Sequence, residues 1–127
     1  MTSHVVVIED DVDLAEMAAQ RLRRAMGAEV RTFLQGLPAL AYLKDGRPID
    51  LVCVDLSLPD INGFQICSTL RSDPSTSHVP ILVISGRTGL DDYARAHELG
   101  VNAYLGKPFA MRTLVDVAQR LLARGRS

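Results

Sequence analysis

Apolar residues in this chain occur in short, nearly continuous runs separated by mixed segments. The runs "HVVVI" at 4–8, "DLVCVD" at 50–55 and "VPILVIS" at 79–85 are rich in Val and Ile. Such runs favour parallel strands covered on both faces, because a strand with one wet face alternates apolar and polar side chains. The weaker runs "EVRTF" at 29–33 and "NAYLG" at 102–106 predict two further strands, the first at a sheet edge.

Segments with helical spacing lie between these strands. One stripe consists of Leu14, Met17, Ala18, Leu22 and Met26 and ends at Gly27, and another consists of Leu114, Val117, Ala118 and Leu121. Three shorter helices are predicted at "LPALAYL", at "GFQICSTL" and at "LDDYARAHEL", which Gly100 closes. Five repeats of strand and helix with right-handed crossovers predict an α/β fold, a three-layer sandwich around a five-stranded parallel sheet.

Length and composition are those of an ordinary single domain. The 127 residues are 47% hydrophobic and 23% charged, enough to bury one sizeable core. A net charge of -1 gives no electrostatic reason for direct binding to nucleic acid or to an acidic membrane. No apolar run approaches the roughly 20 residues of a membrane span, and "MTSH" is not a signal sequence. Cys53 and Cys67 are predicted to be reduced core residues, so we expect a cytoplasmic protein.

Polar residues follow four of the five predicted strands. Glu9 and Asp10 come after the first strand, Asp55 ends the third, Ser85 ends the fourth, and Lys107 follows the fifth. In open α/β sheets, ligands bind beyond the carboxyl ends of the strands. We therefore expect three carboxylates, one hydroxyl and one amine to meet at one rim.

The acids at this rim predict a bound cation. Glu9, Asp10 and Asp11 are consecutive, and adjacent carboxylates repel one another unless something positive lies between them. Clustered carboxylates are hard oxygen ligands that suit Mg²⁺. The histidines, which are His4, His78 and His97, are too scattered for a transition-metal site.

Asp55 can also act as a nucleophile toward phosphorus and form an acyl phosphate. Such a reaction needs positive charge around the phosphoryl oxygens, which Mg²⁺ and Lys107 would supply. The hydroxyl of Ser85 would donate a hydrogen bond to one of those oxygens. The rim therefore predicts phosphoryl chemistry on an aspartate.

Four motifs in this order, "IEDD", "DLSLPDING", "VISG" and "YLGKPF", resemble the receiver domain of two-component response regulators. The resemblance covers about residues 5–122. It implies a flavodoxin-like fold with strand order 2-1-3-4-5. We expect one receiver domain over residues 1–127, with its core at about 5–122 and no output domain.

The resemblance also implies roles for individual residues. Asp55 would be the phosphoacceptor, Asp10 a direct Mg²⁺ ligand, Glu9 a ligand through a coordinated water, and the backbone carbonyl of Ser57 a further ligand. Pro59 and Gly63 would belong to the loop after the phosphoacceptor.

A second group of residues would contact the phosphoryl group. Lys107 and the backbone N–H of Gly86 would bind it, while Ser85 and Tyr104 would form the switch. Ser85 stands where threonine is more usual in the family, and Gly86 where alanine is frequent. Neither change removes a chemical group that the reaction needs.

The function implied is that of a signalling switch. A sensor histidine kinase or a histidine phosphotransfer protein would phosphorylate Asp55 and alter the surface of the fourth helix, fifth strand and fifth helix. Self-phosphorylation and slow autodephosphorylation would not make the domain a turnover enzyme. The downstream target is an unknown protein or a fused output domain. We expect a monomer or a weak phosphorylation-dependent dimer, because Asn102 and Ala103 replace the acidic pair that often precedes this tyrosine in DNA-binding regulators.

Two other functions fit the same residues less well. A pseudo-receiver would use the fold for binding without phosphorylation. An aspartyl-phosphate phosphohydrolase would usually carry a second acid two positions after the nucleophile, where this chain has Ser57.

Several charged residues have plainer interpretations. Asp13 with Glu16 predicts a capping box, and we expect Asp11 and Asp13 to serve as caps. Arg87 would obstruct an attacking water or pair with an acid. A solvated helix face and a frayed end are predicted for Arg21, Arg23, Arg24 and the tail "ARGRS".

Overall fold

The computed structural model describes residues 2–125, so Arg126 and Ser127 of the predicted frayed tail lie outside the described residues. Strands and helices alternate along these residues. The elements are β1 His4–Ile8, α1 Val12–Met26, β2 Glu29–Phe33, α2 Gly36–Leu43, β3 Leu51–Asp55, α3 Gly63–Ser72, β4 Ile81–Ser85, α4 Leu90–Glu98, β5 Ala103–Gly106 and α5 Met111–Gly125.

The five strands form one parallel sheet in the order β2-β1-β3-β4-β5. Its register pairs Ile8 with Val54, Asp55 with Ile84, and Ser85 with Gly106. These pairings bring the carboxyl ends of β1, β3, β4 and β5 to one edge of the sheet. The predicted fold class and strand order are confirmed.

Successive side chains of each strand face opposite layers of the sandwich. Val5 and Val7 pack with residues of α1 and α5, such as Leu22 and Leu114. Val6 and Ile8 pack on the other side with residues of α2, α3 and α4. Each central strand is therefore buried on both faces, which explains the continuous apolar runs in the sequence.

The buried face of α1 differs from the predicted stripe. Ala15, Ala18, Ala19 and Leu22 are buried, whereas Met17 is 50% exposed. The prediction for Met17 is therefore wrong. Small alanines let the helix lie close to the sheet, and the face that they define is rotated away from Met17.

The start of α1 also corrects a prediction. The N-cap is Asp11, whose Oδ1 accepts a hydrogen bond from the backbone N–H of Leu14 at 3.2 Å. The helix begins at Val12, so Asp13 lies in its first turn and the proposed Asp13–Glu16 capping box is wrong. A carboxylate in the first turn still interacts favourably with the helix dipole.

Two other sequence predictions, for Gly27 and for the two cysteines, are confirmed. Gly27 ends α1 with a left-handed φ of 62°, and Cys53 and Cys67 are free and buried. Among the described residues, no helix combines the length and the apolar character that a membrane span requires.

Candidate functional site

The carboxyl edge of the sheet gathers the polar residues that the sequence predicted to meet there. Glu9 directly follows β1, Asp55 and Ser85 end β3 and β4, and Lys107 directly follows β5. Glu9, Asp55 and Ser85 are buried, with exposed fractions of 0%, 3% and 0%. Polar side chains at such low exposure need partners, because an unpaired buried polar group is costly.

Three of the acids form a compact cluster. Carboxylate oxygens of Glu9, Asp10 and Asp55 all lie within 4.8 Å of one another. Asp10 is exposed while the other two are buried, so the cluster opens to solvent on the Asp10 side. This arrangement offers several hard oxygen atoms to a small divalent cation.

Lys107 partly neutralises this cluster. Its Nζ lies 2.6 Å from Glu9 Oε1 and 3.1 Å from Asp55 Oδ2. The second contact has hydrogen-bond geometry, whereas Glu9 Oε1 is held by charge and accepts no geometrically satisfactory hydrogen bond. The peptide bond between Lys107 and Pro108 is cis.

The pKa values reflect this crowding. Burial raises the pKa of Glu9 to about 7, although Lys107 and the backbone N–H of Asp11 act in the opposite direction. Burial lowers the pKa of Lys107, but its contacts with Glu9 and Asp55 outweigh that effect and leave the pKa raised. Lys107 is therefore a charged ammonium group, and Glu9 gains ionised character when a cation approaches.

Both oxygens of Asp55 have partners. Oδ1 accepts a hydrogen bond from the backbone N–H of Ser57 at 3.0 Å, and Oδ2 accepts one from Lys107 at 3.1 Å. Ser57 itself is exposed. Hydrogen bonds from Ser57 and Lys107 thus hold the carboxylate of Asp55, which lies beside Asp10, the exposed acid of the cluster.

The loop from Asp55 to α3, which contains the exposed Pro59, depends on Gly63. The N–H of Gly63 donates to the carbonyl of Leu56 at 3.0 Å. A Cβ at Gly63 would lie 2.4 Å from the carbonyl oxygen of Asp55 and 2.7 Å from Cα of Leu56. Only glycine allows α3 to start this close to the backbone that carries the central aspartate.

Ser85 and Tyr104 are joined through the backbone of Arg87. Ser85 Oγ accepts a hydrogen bond from the N–H of Arg87 at 3.0 Å, and the hydroxyl of Tyr104 donates to the carbonyl of the same residue. Burial raises the pKa of Tyr104. The ring of Tyr104 also packs on Tyr93, with 4.4 Å between ring centroids.

The side chain of Arg87 pairs with an acid, one of the two alternatives that the sequence left open. Its Nη2 lies 2.7 Å from Oδ1 of Asp92 in α4. The preceding Gly86 is exposed, has no positive φ, and would meet no atom within 4 Å if it carried a Cβ. The β4–α4 loop is therefore fixed at Arg87 and open at Gly86.

Sequence reasoning missed Asp60, which supports the same rim from the β3–α3 loop. Its carboxylate accepts hydrogen bonds from the backbone N–H groups of Gly36 and Leu37, at 2.8 and 2.7 Å. These N–H groups lie at the start of α2, where a helix offers them no backbone acceptor, and the side chain of the N-cap residue Gln35 makes no capping hydrogen bond. Desolvation alone would raise the pKa of Asp60, but the hydrogen bonds from these N–H groups lower it. No local sequence pattern predicts this cap, because Asp60 lies 24 positions after Gly36.

Comparison with known families agrees with this geometry. The family model described as the response regulator receiver domain matches residues 5–119. The chain belongs to this family. Receiver domains are signalling modules of two-component systems, and they partner with histidine kinases.

Curated relatives extend the comparison. The DNA-binding response regulator MtrA of Mycobacterium tuberculosis is 36% identical over 124 residues, which are 98% of this chain and 52% of MtrA. This chain thus spans about half the length of the MtrA proteins that it matches. Protein PilG of Pseudomonas aeruginosa is 30% identical over 110 residues, which cover 87% of this chain and 81% of PilG.

Solved structures share the fold. The chemotaxis protein CheY4 of Vibrio cholerae has a TM-score of 0.88 and 26% identity, and the match covers 95% of this chain and 99% of CheY4. A CheY-like receiver domain protein from Methanospirillum hungatei reaches a TM-score of 0.92 at 20% identity, over 99% of this chain and 98% of that one. At that identity the second likeness concerns the fold alone.

Proposed function

We propose that this chain is a phosphorylatable receiver domain, in which Asp55 accepts a phosphoryl group from a histidine kinase or a histidine phosphotransfer protein. One observation carries the proposal. Lys107 contacts both Glu9 and Asp55 at a rim where three carboxylates cluster. A positive charge beside a fixed, nucleophilic carboxylate is the arrangement that transfer of a phosphoryl group requires.

The acidic cluster fits a magnesium ion. Its donors are carboxylate oxygens close together, and one of them, the buried Glu9 Oε1, makes an ion pair with Lys107 but accepts no geometrically satisfactory hydrogen bond. In this proposal Glu9, Asp10, Asp55 and the backbone carbonyl of Ser57 hold Mg²⁺. When bound, the ion supplies positive charge that offsets the carboxylates and the phosphoryl oxygens.

The reaction exchanges one bond to phosphorus for another. The phosphorus–nitrogen bond of a phosphohistidine breaks, its electron pair stays on the imidazole, and a phosphorus–oxygen bond forms to the carboxylate of Asp55. Lys107, the hydroxyl of Ser85 and the backbone N–H of Gly86 stabilise the charge on the transferred group. The product carries about −1.5 to −2 charges at the rim at neutral pH.

A response to this new charge would pass through the backbone of Arg87. If the hydroxyl of Ser85 turns to the phosphoryl group, it leaves the N–H of Arg87, whose carbonyl holds the hydroxyl of Tyr104. The side chain of Arg87 is paired with Asp92 of α4. We therefore propose that Ser85 and Tyr104 form the switch and that α4, β5 and α5 present the altered surface.

The downstream target is a separate protein or an output domain on the same polypeptide. The MtrA relatives, which are DNA-binding response regulators about twice as long as this chain, are examples of regulators with further sequence. Residues 1–127 would act as one receiver unit in both cases, as a monomer or a weak phosphorylation-dependent dimer. The receiver itself would promote its own phosphorylation and slowly hydrolyse the acyl phosphate without acting as a turnover enzyme.

Labelling with a small phosphodonor tests the proposal. Wild-type protein incubated with acetyl phosphate or phosphoramidate and Mg²⁺ should gain one phosphoryl group by intact-protein mass spectrometry. Asp55→Asn should gain none, because the amide is not a nucleophile for this reaction. Asp13→Asn is the matched control, since Asp13 is an exposed acid in the first turn of α1. Labelling retained in Asp55→Asn would refute the assignment.

A pseudo-receiver is the second candidate, and beryllofluoride separates it from the first. The acyl-phosphate mimic with Mg²⁺ should bind and stabilise a phosphorylatable site, and it should not stabilise a pseudo-receiver. A phosphohydrolase is less favoured, because the residue two positions after Asp55 is Ser57 and offers no acid for the leaving group.

A further inference from the structure

A basic groove lies between α1 and α5, on the outer side of the sandwich. Its volume is about 390 Å³, and its lining residues are Arg21, Arg24, Ala25, Arg112, Val115 and Asp116. From the sequence alone, the arginines of α1 look like a solvated helix face. The fold adds an arginine from α5 to two arginines of α1, so three arginines line one groove.

These arginines differ from most others in the protein. Elsewhere, an arginine side chain donates to a backbone carbonyl, pairs with an acid or lies over an aromatic ring. The residues of this kind are Arg23, Arg31, Arg47, Arg71, Arg87 and Arg95. Within residues 2–125, Arg21, Arg24, Arg112 and Arg120 make no hydrogen bond, ion pair or ring contact, and the first three line the groove.

The acid in the groove does not neutralise them. Asp116 lies one helical turn after Arg112, yet it forms no ion pair with any residue that the structure describes. The groove is thus lined by three arginines and a single acid, Asp116. Ala25 and Val115 add apolar surface between the charged side chains.

We propose that this groove binds a small soluble anion that carries two or more phosphate groups, such as pyrophosphate or a nucleoside diphosphate. The planar guanidinium fork binds phosphate oxygens in pairs, and three forks match more than one phosphate. The groove volume lies in the range of small-ligand pockets, about 300–1,000 Å³. The proposal does not rest on phosphorylation of Asp55, because Arg21 and Arg24 lie in the second half of α1 and the acidic rim adjoins its first residue.

Titration calorimetry with inorganic pyrophosphate tests the site, in buffer freed of metals by a chelating resin. We expect saturable binding to the wild type that Arg112→Gln weakens at least about tenfold, because it loses charge-assisted hydrogen bonds. Arg120→Gln is the matched control, since it removes the same charge from α5 outside the groove. Asp116→Asn should tighten binding by removing the only carboxylate there. A parallel titration with ADP shows whether the site prefers the inorganic ion or the diphosphate of a nucleotide.

Three results would overturn the proposal. The first is no saturable binding of either ligand. The second is an equal loss in Arg120→Gln and Arg112→Gln, which would mean that the whole positive face attracts anions without a site. The third is that Lys107→Gln loses binding while Arg112→Gln binds as well as the wild type, which would place the anion at the acidic rim. Because all three groove arginines are exposed, their variants should fold, and Arg112→Gln should still be labelled by acetyl phosphate.

Discussion

The buried carboxyl group of Glu9 makes the stability of the metal-free protein depend on pH. Glu9 is 0% exposed, and its pKa is raised from an ordinary value of 4.5 to about 7, chiefly by burial. The unfolded chain therefore loses this proton at lower pH than the folded protein does. Between these two pKa values the folded state binds more protons, so the free energy of unfolding falls as the pH rises through that window.

The size of this effect follows from the two pKa values. A gap of about 2.5 pH units corresponds to at most about 3 kcal/mol, lost between pH 4.5 and 7. Glu9→Gln removes the titrating group and keeps a side chain of similar size. The free energy of unfolding of the variant, relative to the wild type, should therefore rise by up to about 3 kcal/mol from about pH 5 to about pH 8.

Urea denaturation followed by far-UV circular dichroism measures this difference, in buffer with a chelator and at several pH values. Glu16→Gln serves as the matched control, because it removes an exposed carboxylate from α1. Taking the difference from the wild type at each pH cancels the titration of groups that do not interact with Glu9. A difference that falls as the pH rises would mean that Lys107 stabilises an ionised Glu9 more than burial penalises it, and the reasoning would be refuted.

Three further predictions concern the binding of Mg²⁺, the glycines Gly63 and Gly86, and the side chain of Arg71. Mg²⁺ should stabilise the wild type at about pH 8, by about 2.7 kcal/mol at a hundredfold excess over its Kd, and should stabilise Glu9→Gln less, as thermal melts would show. Gly63→Ala should cost at least about 2 kcal/mol by urea denaturation because its Cβ meets the backbone of Asp55, whereas the matched Gly86→Ala should be neutral or stabilise by about 0.5 kcal/mol. Arg71→Ala should lose about 2–3 kcal/mol of unfolding free energy, since the side chain donates five hydrogen bonds to the segments that precede β4 and β5; an unchanged denaturation midpoint would contradict this.

The three central strands, β1, β3 and β4, were predictable from the sequence because their side chains are buried on both faces. The predicted run 50–55 became β3 Leu51–Asp55, and 79–85 became β4 Ile81–Ser85. Asp50 lies outside the strand for a reason that no local pattern shows: its carboxylate accepts a hydrogen bond from the backbone N–H of His4 at 2.7 Å. The edges of elements are thus set by tertiary partners, whereas their centres are set by the apolar runs.

The candidate site was predictable for a related reason. Parallel strands end at one edge, so residues that follow strands in sequence become neighbours in space. Contacts that depend on the third dimension were not predictable. Asp60 caps α2 from a distant loop, and Arg112 joins two arginines of α1 only because α5 packs beside that helix. Helical periodicity shows that a face is polar, but it does not show what lies opposite that face.

Charge balance links the proton, the lysine and the proposed ion at the rim. Three clustered carboxylates face one ammonium group, so the cluster carries excess negative charge unless another cation arrives. Burial is the main cause of the raised pKa of Glu9, and the nearby charge of Asp55 adds to it, so that a proton on Glu9 relieves part of this excess in the metal-free protein. A divalent ion would relieve it more fully and would release that proton, because carboxylate ligands bind metals in their ionised form. Proton release on addition of Mg²⁺ near neutral pH, absent in Glu9→Gln, is therefore the signature that would separate a metal site from an acidic cluster held by Lys107 alone.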